Sequence, residues 1–319
     1  MTRILLTATI FLLGLQGFSQ DFNKTILKTT DQDWLYTNDG KSDTLFYLDM
    51  TPDTLNGTIL ILMSGWHEKI EDIFLETKLP YEAFKRNIPT LIPSINTRVH
   101  SDTTCYKLIN EMIIDYSKRK NDKIENVIIG GLSAGGIMSL NYAIHMVKNP
   151  HDLIPSPKSV VVVDPPVDLY NLWFIMERLS KRNCVASAKN EADYYMDYCK
   201  KYLGGTPKEV PEKYREVSPF SRELENGGNT VYLKDVPIRV YCEPDMDWWL
   251  ARCEDLSDLN ATDLSTMINI LRLIGNKHAE FITTTNTGYR LDGRRHPHSW
   301  SILDAEDTAN WIEKMIKNK

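Results

Sequence analysis

The chain has 319 residues, with 37 Lys and Arg against 43 Asp and Glu, a net charge of −6 and 42% hydrophobic residues. That is the composition of an ordinary folded protein, long enough for one large α/β domain or two small ones. The mild acidity and the lack of any Lys/Arg block exclude nucleic acid as the main partner.

Residues 1–20, "MTRILLTATIFLLGLQGFSQ", place one early Arg before an apolar run and then small or polar residues. This reads as a secretory signal peptide cleaved near Gln20. The run is short for a membrane span, and no later segment is apolar enough for one. The expectation is an exported protein, periplasmic or extracellular, with no stable membrane insertion. Residues 21–319 then form the mature domain. Export permits disulfides among Cys105, Cys184, Cys199, Cys242 and Cys253. The odd count leaves at least one unpaired, and Cys184 with Cys199 or Cys242 with Cys253 are the local options. No Cys/His spacing resembles a zinc site, and no metal or cofactor is expected.

Two β-rich stretches follow, "KTILKTTDQDWLYT" and "DTLFYLDM", which alternate like half-exposed antiparallel strands. The pattern then changes. Continuous apolar runs at 57–65, 88–95, 124–131, 159–166 and 237–245 fit strands buried on both faces of a parallel sheet, with a last strand at 279–286. Helical segments at 102–119, 134–147, 261–275 and 302–317 alternate with them. This order predicts an α/β fold, with a mostly parallel sheet, antiparallel N-terminal strands and helices on both faces. One interval breaks the rhythm. Residues 170–225 hold no buried strand and read as a helical insertion over the carboxyl edge of the sheet, where ligands bind.

The stretch 131–135, "GLSAG", follows a strand and opens a helix. A serine in so strained a turn needs nearly bare neighbours two residues away, and Gly131 and Gly135 supply them. Ser133 is therefore the candidate nucleophile. Such a serine needs a base and an acid that orients the base. The loop "GRRHPHSWSILD" before the last helix offers His298, with His296 as the alternative. "VYCEPDMDWW" offers Asp245 just past its strand, with Glu243, Asp247 and the earlier Asp164 as competitors. An oxyanion would be held by the N–H of Ala134 and that of Trp66 in the loop "SGWHE". His67, Trp248 and Tyr170 are candidate substrate contacts. Tyr194, Tyr198 and Tyr202 share one helix face and read either as packing or as a stacking wall. Arg290, Arg294 and Arg295 read as solvated charges or as anchors for a substrate carboxylate or sulfate.

The elbow "GGLSAGG", the loop "MSGWHE", the strand "PIRVYCEPD" and the loop "HPHSW", in the order Ser, Asp, His, resemble the α/β-hydrolase superfamily over about residues 25–317. The resemblance implies the α/β-hydrolase fold with a lid at 170–225. It also implies an esterase acting through Ser133, His298 and Asp245, without a cofactor. Cys242 stands where many members carry Gly. The elbow and the "HSW" loop are most similar to small secreted esterases, including carbohydrate-esterase and feruloyl-esterase types. Small-molecule or glycan-linked esters are the implied substrates. A peptidase, an acyltransferase or a non-catalytic binding protein on the same scaffold are the competing readings.

Overall fold

The computed structural model describes residues 22–27 and 45–317. The predicted signal peptide, and residues 28–37 of the first β-rich stretch, lie outside them. In chain order the elements are β1 (Asn23–Ile26), β2 (Phe46–Met50), β3 (Thr58–Met63), α1 (Ile73–Glu76), α2 (Leu79–Lys85), β4 (Thr90–Pro93) and α3 (Thr103–Lys120). Then come β5 (Asn126–Leu132), α4 (Ala134–Lys148), β6 (Ser159–Val163), α5 (Leu169–Arg182), α6 (Ala186–Leu203) and α7 (Pro211–Val217). The chain ends with β7 (Ile238–Cys242), α8 (Met246–Leu250), α9 (Asn260–Leu273), β8 (Ala279–Thr283) and α10 (Ala305–Lys317).

The eight strands form one sheet in the order β1-β2-β4-β3-β5-β6-β7-β8. β2 runs antiparallel to both its neighbours, and all pairs from β4 through β8 are parallel. Apolar strands without alternation bury both faces here. Ile59, Ile61, Ile129, Val160, Val162 and Val240 belong to a core shared with α3, α4 and α9. Their neighbours Leu60, Leu62, Ile128, Val161, Val163 and Tyr241 belong to a second core shared with α2 and α10. Each such side chain taken out of water contributes about 1.5–3 kcal/mol.

One expectation fails at β2, which is buried throughout rather than half-exposed. Phe46, Leu48 and Met50 enter the second core and Tyr47 enters the first. Its one acid, Asp49, is fully buried, accepts from Thr51 Oγ1 at 2.6 Å and faces Arg119 and Lys120 at 3.5 and 3.6 Å. The polar residue that mimicked a solvated face is thus an interior ion-pair partner.

Helices α5, α6 and α7 occupy the strandless interval between β6 and β7. α5 starts where Asp168 accepts from the Asn171 amide at 3.0 Å, the usual N-terminal cap. α6 stops at Gly204, whose φ of 91° ends the helix in the left-handed region. The disulfide joins Cys184, between α5 and α6, to Cys253, after α8. Neither local pairing was realised, and Cys105, Cys199 and Cys242 are free and buried. Among the described residues, no helix is long and apolar enough to cross a membrane.

Candidate active site

The parallel strands bring their carboxyl ends to one edge, so residues distant in sequence meet there. β5 delivers Ser133. Its φ of 54° and ψ of −123° lie in the left-handed half of the map, a costly state for a residue with a Cβ. The surroundings hold it there. Its N–H donates to Val163 O at 3.0 Å, and its carbonyl accepts from Gly136 and Ile137. A Cβ on Gly131 would come within 2.3 Å of the Gly135 carbonyl carbon, and one on Gly135 within 2.2 Å of Met63 O. Only hydrogen fits at either position. Ala134 is the first residue of α4, so its N–H has no acceptor within the helix.

β6 delivers Asp164 directly after its last valine. The residue is 4% exposed. One carboxylate oxygen accepts from His298 Nδ1 at 2.7 Å, and the other from the Cys242 thiol at 3.1 Å. Burial, and next the Asp164 charge, push the Cys242 thiol well up, so it stays a donor. Asn260 Nδ2 donates to the Asp164 carbonyl at 2.9 Å and fixes the backbone behind it. Burial works against a charged His298 ring, but the hydrogen bond and the charge of Asp164 outweigh it, and the pKa is raised.

The carboxylate that meets His298 is therefore Asp164, not Asp245. Asp245 caps α8 by accepting from the Trp248 amide at 3.1 Å, and its other oxygen pairs with Arg295 at 2.5 Å. Glu243, beside it, is 2% exposed and accepts from Thr284, from the Thr287 hydroxyl and amide and from the Gly288 amide, and it pairs with Arg295. Both acids at the end of β7 thus brace the loop that carries the histidines. His296 belongs to the same bracing. Its Nδ1 donates to the His298 carbonyl at 2.9 Å. Burial, then the charges of Arg290 and His298, lower its pKa to about 3, so it stays neutral.

The loop after β3 is fixed by its own amides. Gly65 N–H donates to Glu68 Oε2 at 2.9 Å, His67 N–H to Asn96 O at 3.1 Å and Glu68 N–H to Gly65 O at 3.2 Å. The Trp66 indole donates to Thr97 O at 3.0 Å, and its ring stacks on Tyr194 with centroids 4.9 Å apart.

Ser133, Ala134, Asp164, His298 and Trp66 line one cavity of about 740 Å³. Leu172, Ile175, Met176 and Leu179 of α5 make its apolar wall, and Glu191 and Tyr195 of α6 also border it. Of the three candidate substrate contacts, Trp248 lines the cavity and His67 and Tyr170 do not. The Tyr194 hydroxyl meets His67 Nε2 at 3.3 Å outside it, and Tyr170 packs on Phe174 beneath Arg215. Of the tyrosine stripe of α6 only Tyr198 is buried, and none of the three lines the cavity. The Tyr198 hydroxyl reaches His100 Nδ1 at 2.6 Å and accepts from Val99 N–H, while Tyr202 lies under Arg98. The three arginines are likewise spent. Arg290 pairs with Glu68 at 2.8 Å, Arg294 with Asp292 at 2.6 Å, and Arg295 with Glu243 and Asp245. Cys242 and Asn260, which support Asp164, are not among the residues expected from the sequence, where the one signal is that Cys242 stands where many members of the resembled superfamily carry Gly.

No protein-family model and no curated protein matches the sequence. Solved structures do resemble it. An S-formylglutathione hydrolase from Agrobacterium tumefaciens is 10% identical with a TM-score of 0.58, over 92% of this chain and 95% of that one. Carboxyl esterase 2 from the mycorrhizal fungus Tuber melanosporum is 14% identical with a TM-score of 0.60, over 95% and 88%. A siderophore hydrolase from Aspergillus fumigatus is 13% identical with a TM-score of 0.56, over 86% and 96%. At such identities the likeness is one of fold.

Proposed function

We propose that this chain, which has the α/β-hydrolase fold, is a serine hydrolase that cleaves carboxylic esters through an acyl-enzyme on Ser133. The observation that carries the reading is the arrangement of three groups. His298, hydrogen-bonded through Nδ1 to buried Asp164, opens onto the cavity that also holds the strained Ser133. With Nδ1–H given to Asp164, Nε2 is the ring's free base. It takes the Ser133 proton as Oγ attacks the ester carbonyl, and returns it to the leaving alcohol. Water then attacks the acyl-enzyme by the same proton route. The oxyanion falls to the N–H groups of Ala134 and Trp66, each worth about 3–4 kcal/mol of transition-state stabilisation.

Strain of the kind seen at Ser133 persists where it serves a site, which favours an enzyme over a binding scaffold. Export fits the Cys184–Cys253 disulfide, since such bonds last in oxidising compartments. A glycan-linked ester would stack on Trp249, because Arg252 already covers the Trp248 ring at 3.2 Å.

The test is labelling by a fluorophosphonate together with hydrolysis of short p-nitrophenyl esters. Wild type should label and turn over, and Ser133→Ala should do neither. A wild type inert in both assays sinks the proposal. Turnover of peptides or acyl transfer to an alcohol, with esters untouched, would move the reading to a peptidase or an acyltransferase.

A further inference from the structure

The side of the cavity below α5 and α6 carries a charge that the chemistry at Ser133 does not use. Glu254 follows α8, is 7% exposed and borders the cavity. Among the described residues, its carboxylate receives no hydrogen bond and no ion pair. The other buried acids around the cavity are all engaged. Asp258 takes Arg178 at 2.9 Å and Arg182. Glu243 takes Arg295 and the Thr287–Gly288 amides, and Asp164 takes His298. A buried carboxylate left bare is costly unless a cation completes it.

The groups that act on Glu254 are Asp258, Glu191, Arg252 and Arg182, the two acids more strongly than the two arginines. Arg252 is held elsewhere. It lies over the Trp248 ring and donates to the Trp248 carbonyl at 3.2 Å. Arg182 is committed to Asp258 and to the Cys253 carbonyl. Glu191 enters the same cavity from α6, and its charge reaches His298. A second carboxylate therefore acts on both Glu254 and His298 from the cavity wall.

We propose that Glu254 and Glu191 form an ammonium subsite, so that the ester cleaved at Ser133 carries a positively charged amine. The proposal rests on the serine-hydrolase reading and adds the substrate class. Burial, then Asp258 and Glu191, push Glu254 up to about 7, and a bound cation would bring it down again.

Two measurements test it at pH 8, where Glu254 is ionised. In the first, p-nitrophenyl 6-aminohexanoate is compared with p-nitrophenyl heptanoate. Wild type should favour the amino ester at least tenfold in kcat/KM. Glu254→Gln should bring the ratio toward one, and Glu191→Gln should give an intermediate ratio. A wild-type ratio of one, or a ratio that survives Glu254→Gln, overturns the subsite. In the second, hexylammonium chloride and hexanol are titrated calorimetrically into Ser133→Ala protein. Hexylammonium should bind at least tenfold more tightly, and adding Glu254→Gln should erase the difference; equal binding overturns the subsite. If neither ester is turned over and no fluorophosphonate labels the chain, the hydrolase reading fails. The binding measurement still decides the subsite in that case.

Discussion

Asp164 and Asp245 both follow a parallel strand by a few residues, yet their carboxylates do different work. Asp164 sits one residue past β6 with a φ of 46°, and it reaches His298. Asp245 sits three residues past β7 and turns back to cap α8 and to hold Arg295. Asp164→Asn should lower kcat about 10⁴-fold, because the ring loses the acceptor that sets its tautomer. Asp245→Asn should cost far less activity and appear mainly as about 1–3 kcal/mol of lost stability in urea, from a half-broken ion pair. Equal kinetic losses would contradict this division. The pH profile adds a second check. His298 must be neutral to accept a proton, and its pKa is raised, so the acid limb of kcat/KM lies above the ordinary histidine value of about 6.5. Asp164→Asn removes the two largest raising influences and leaves burial and the Arg290 charge, which lower, against the smaller pull of Glu191. The limb of the residual activity should therefore move to lower pH, and a limb that stays in place argues against this pairing.

The elbow and the α5–α6 pair are the elements that the site depends on. In the elbow, any side chain at 135 meets the carbonyls of Met63, the last residue of β3, and of Ser64 after it, at 2.2 and 2.5 Å, both backbone atoms. Gly135→Ala should destabilise by more than about 2 kcal/mol and cut fluorophosphonate labelling with it, read by urea midpoint and label yield. The α5–α6 pair is tied to the turn after α8 by Cys184–Cys253 and by Arg178 and Arg182 on Asp258. Those ties hold together the apolar wall of α5 and the acidic side of the cavity. The disulfide spans 69 residues. Closing a loop of that order contributes about 2–4 kcal/mol, so Cys184→Ser should lower stability by that amount. Dithiothreitol should do the same to wild type and nothing further to the variant.

For the whole molecule, stability should fall as pH rises above the ordinary carboxyl range. Burial, which outweighs the nearby arginines and backbone amides that lower them, raises Glu76 and Glu254 to about 7 and Asp168 to about 6, with neighbouring acids adding to it. The folded chain then holds protons that the unfolded chain has released, so stability is lost between the unfolded values near 4 and the folded values. Glu254→Gln should match wild type in urea at pH 5 and exceed it by about 1–3 kcal/mol at pH 8. A gain equal at both pH values would refute the assignment.

The sheet and its flanking helices were legible in the sequence because each rests on a short local pattern. Four successive valines before Asp164 can only be a strand buried on both faces, and "GLSAG" can only turn sharply if its glycines are crowded. Ser133 and His298 were legible for the same reason, each lying beside a recognisable strand or helix end. Asp164 is only a competitor of Asp245 on sequence grounds, since the residues near it do not record which strand end faces the histidine loop. That depends on how far each chain end projects past the sheet edge and on which partners are already engaged there. The Cys184–Cys253 bond and the bare carboxylate of Glu254 are of the same kind. Both arise where α5, α6 and the turn after α8 converge, and proximity across 69 residues is a property of packing. The sequence by itself determined the α/β order, the elbow and the place of Ser133 in it. The tertiary structure decided which carboxylate meets His298, the disulfide and the charge of the cavity, because those depend on distances that no local run of residues encodes.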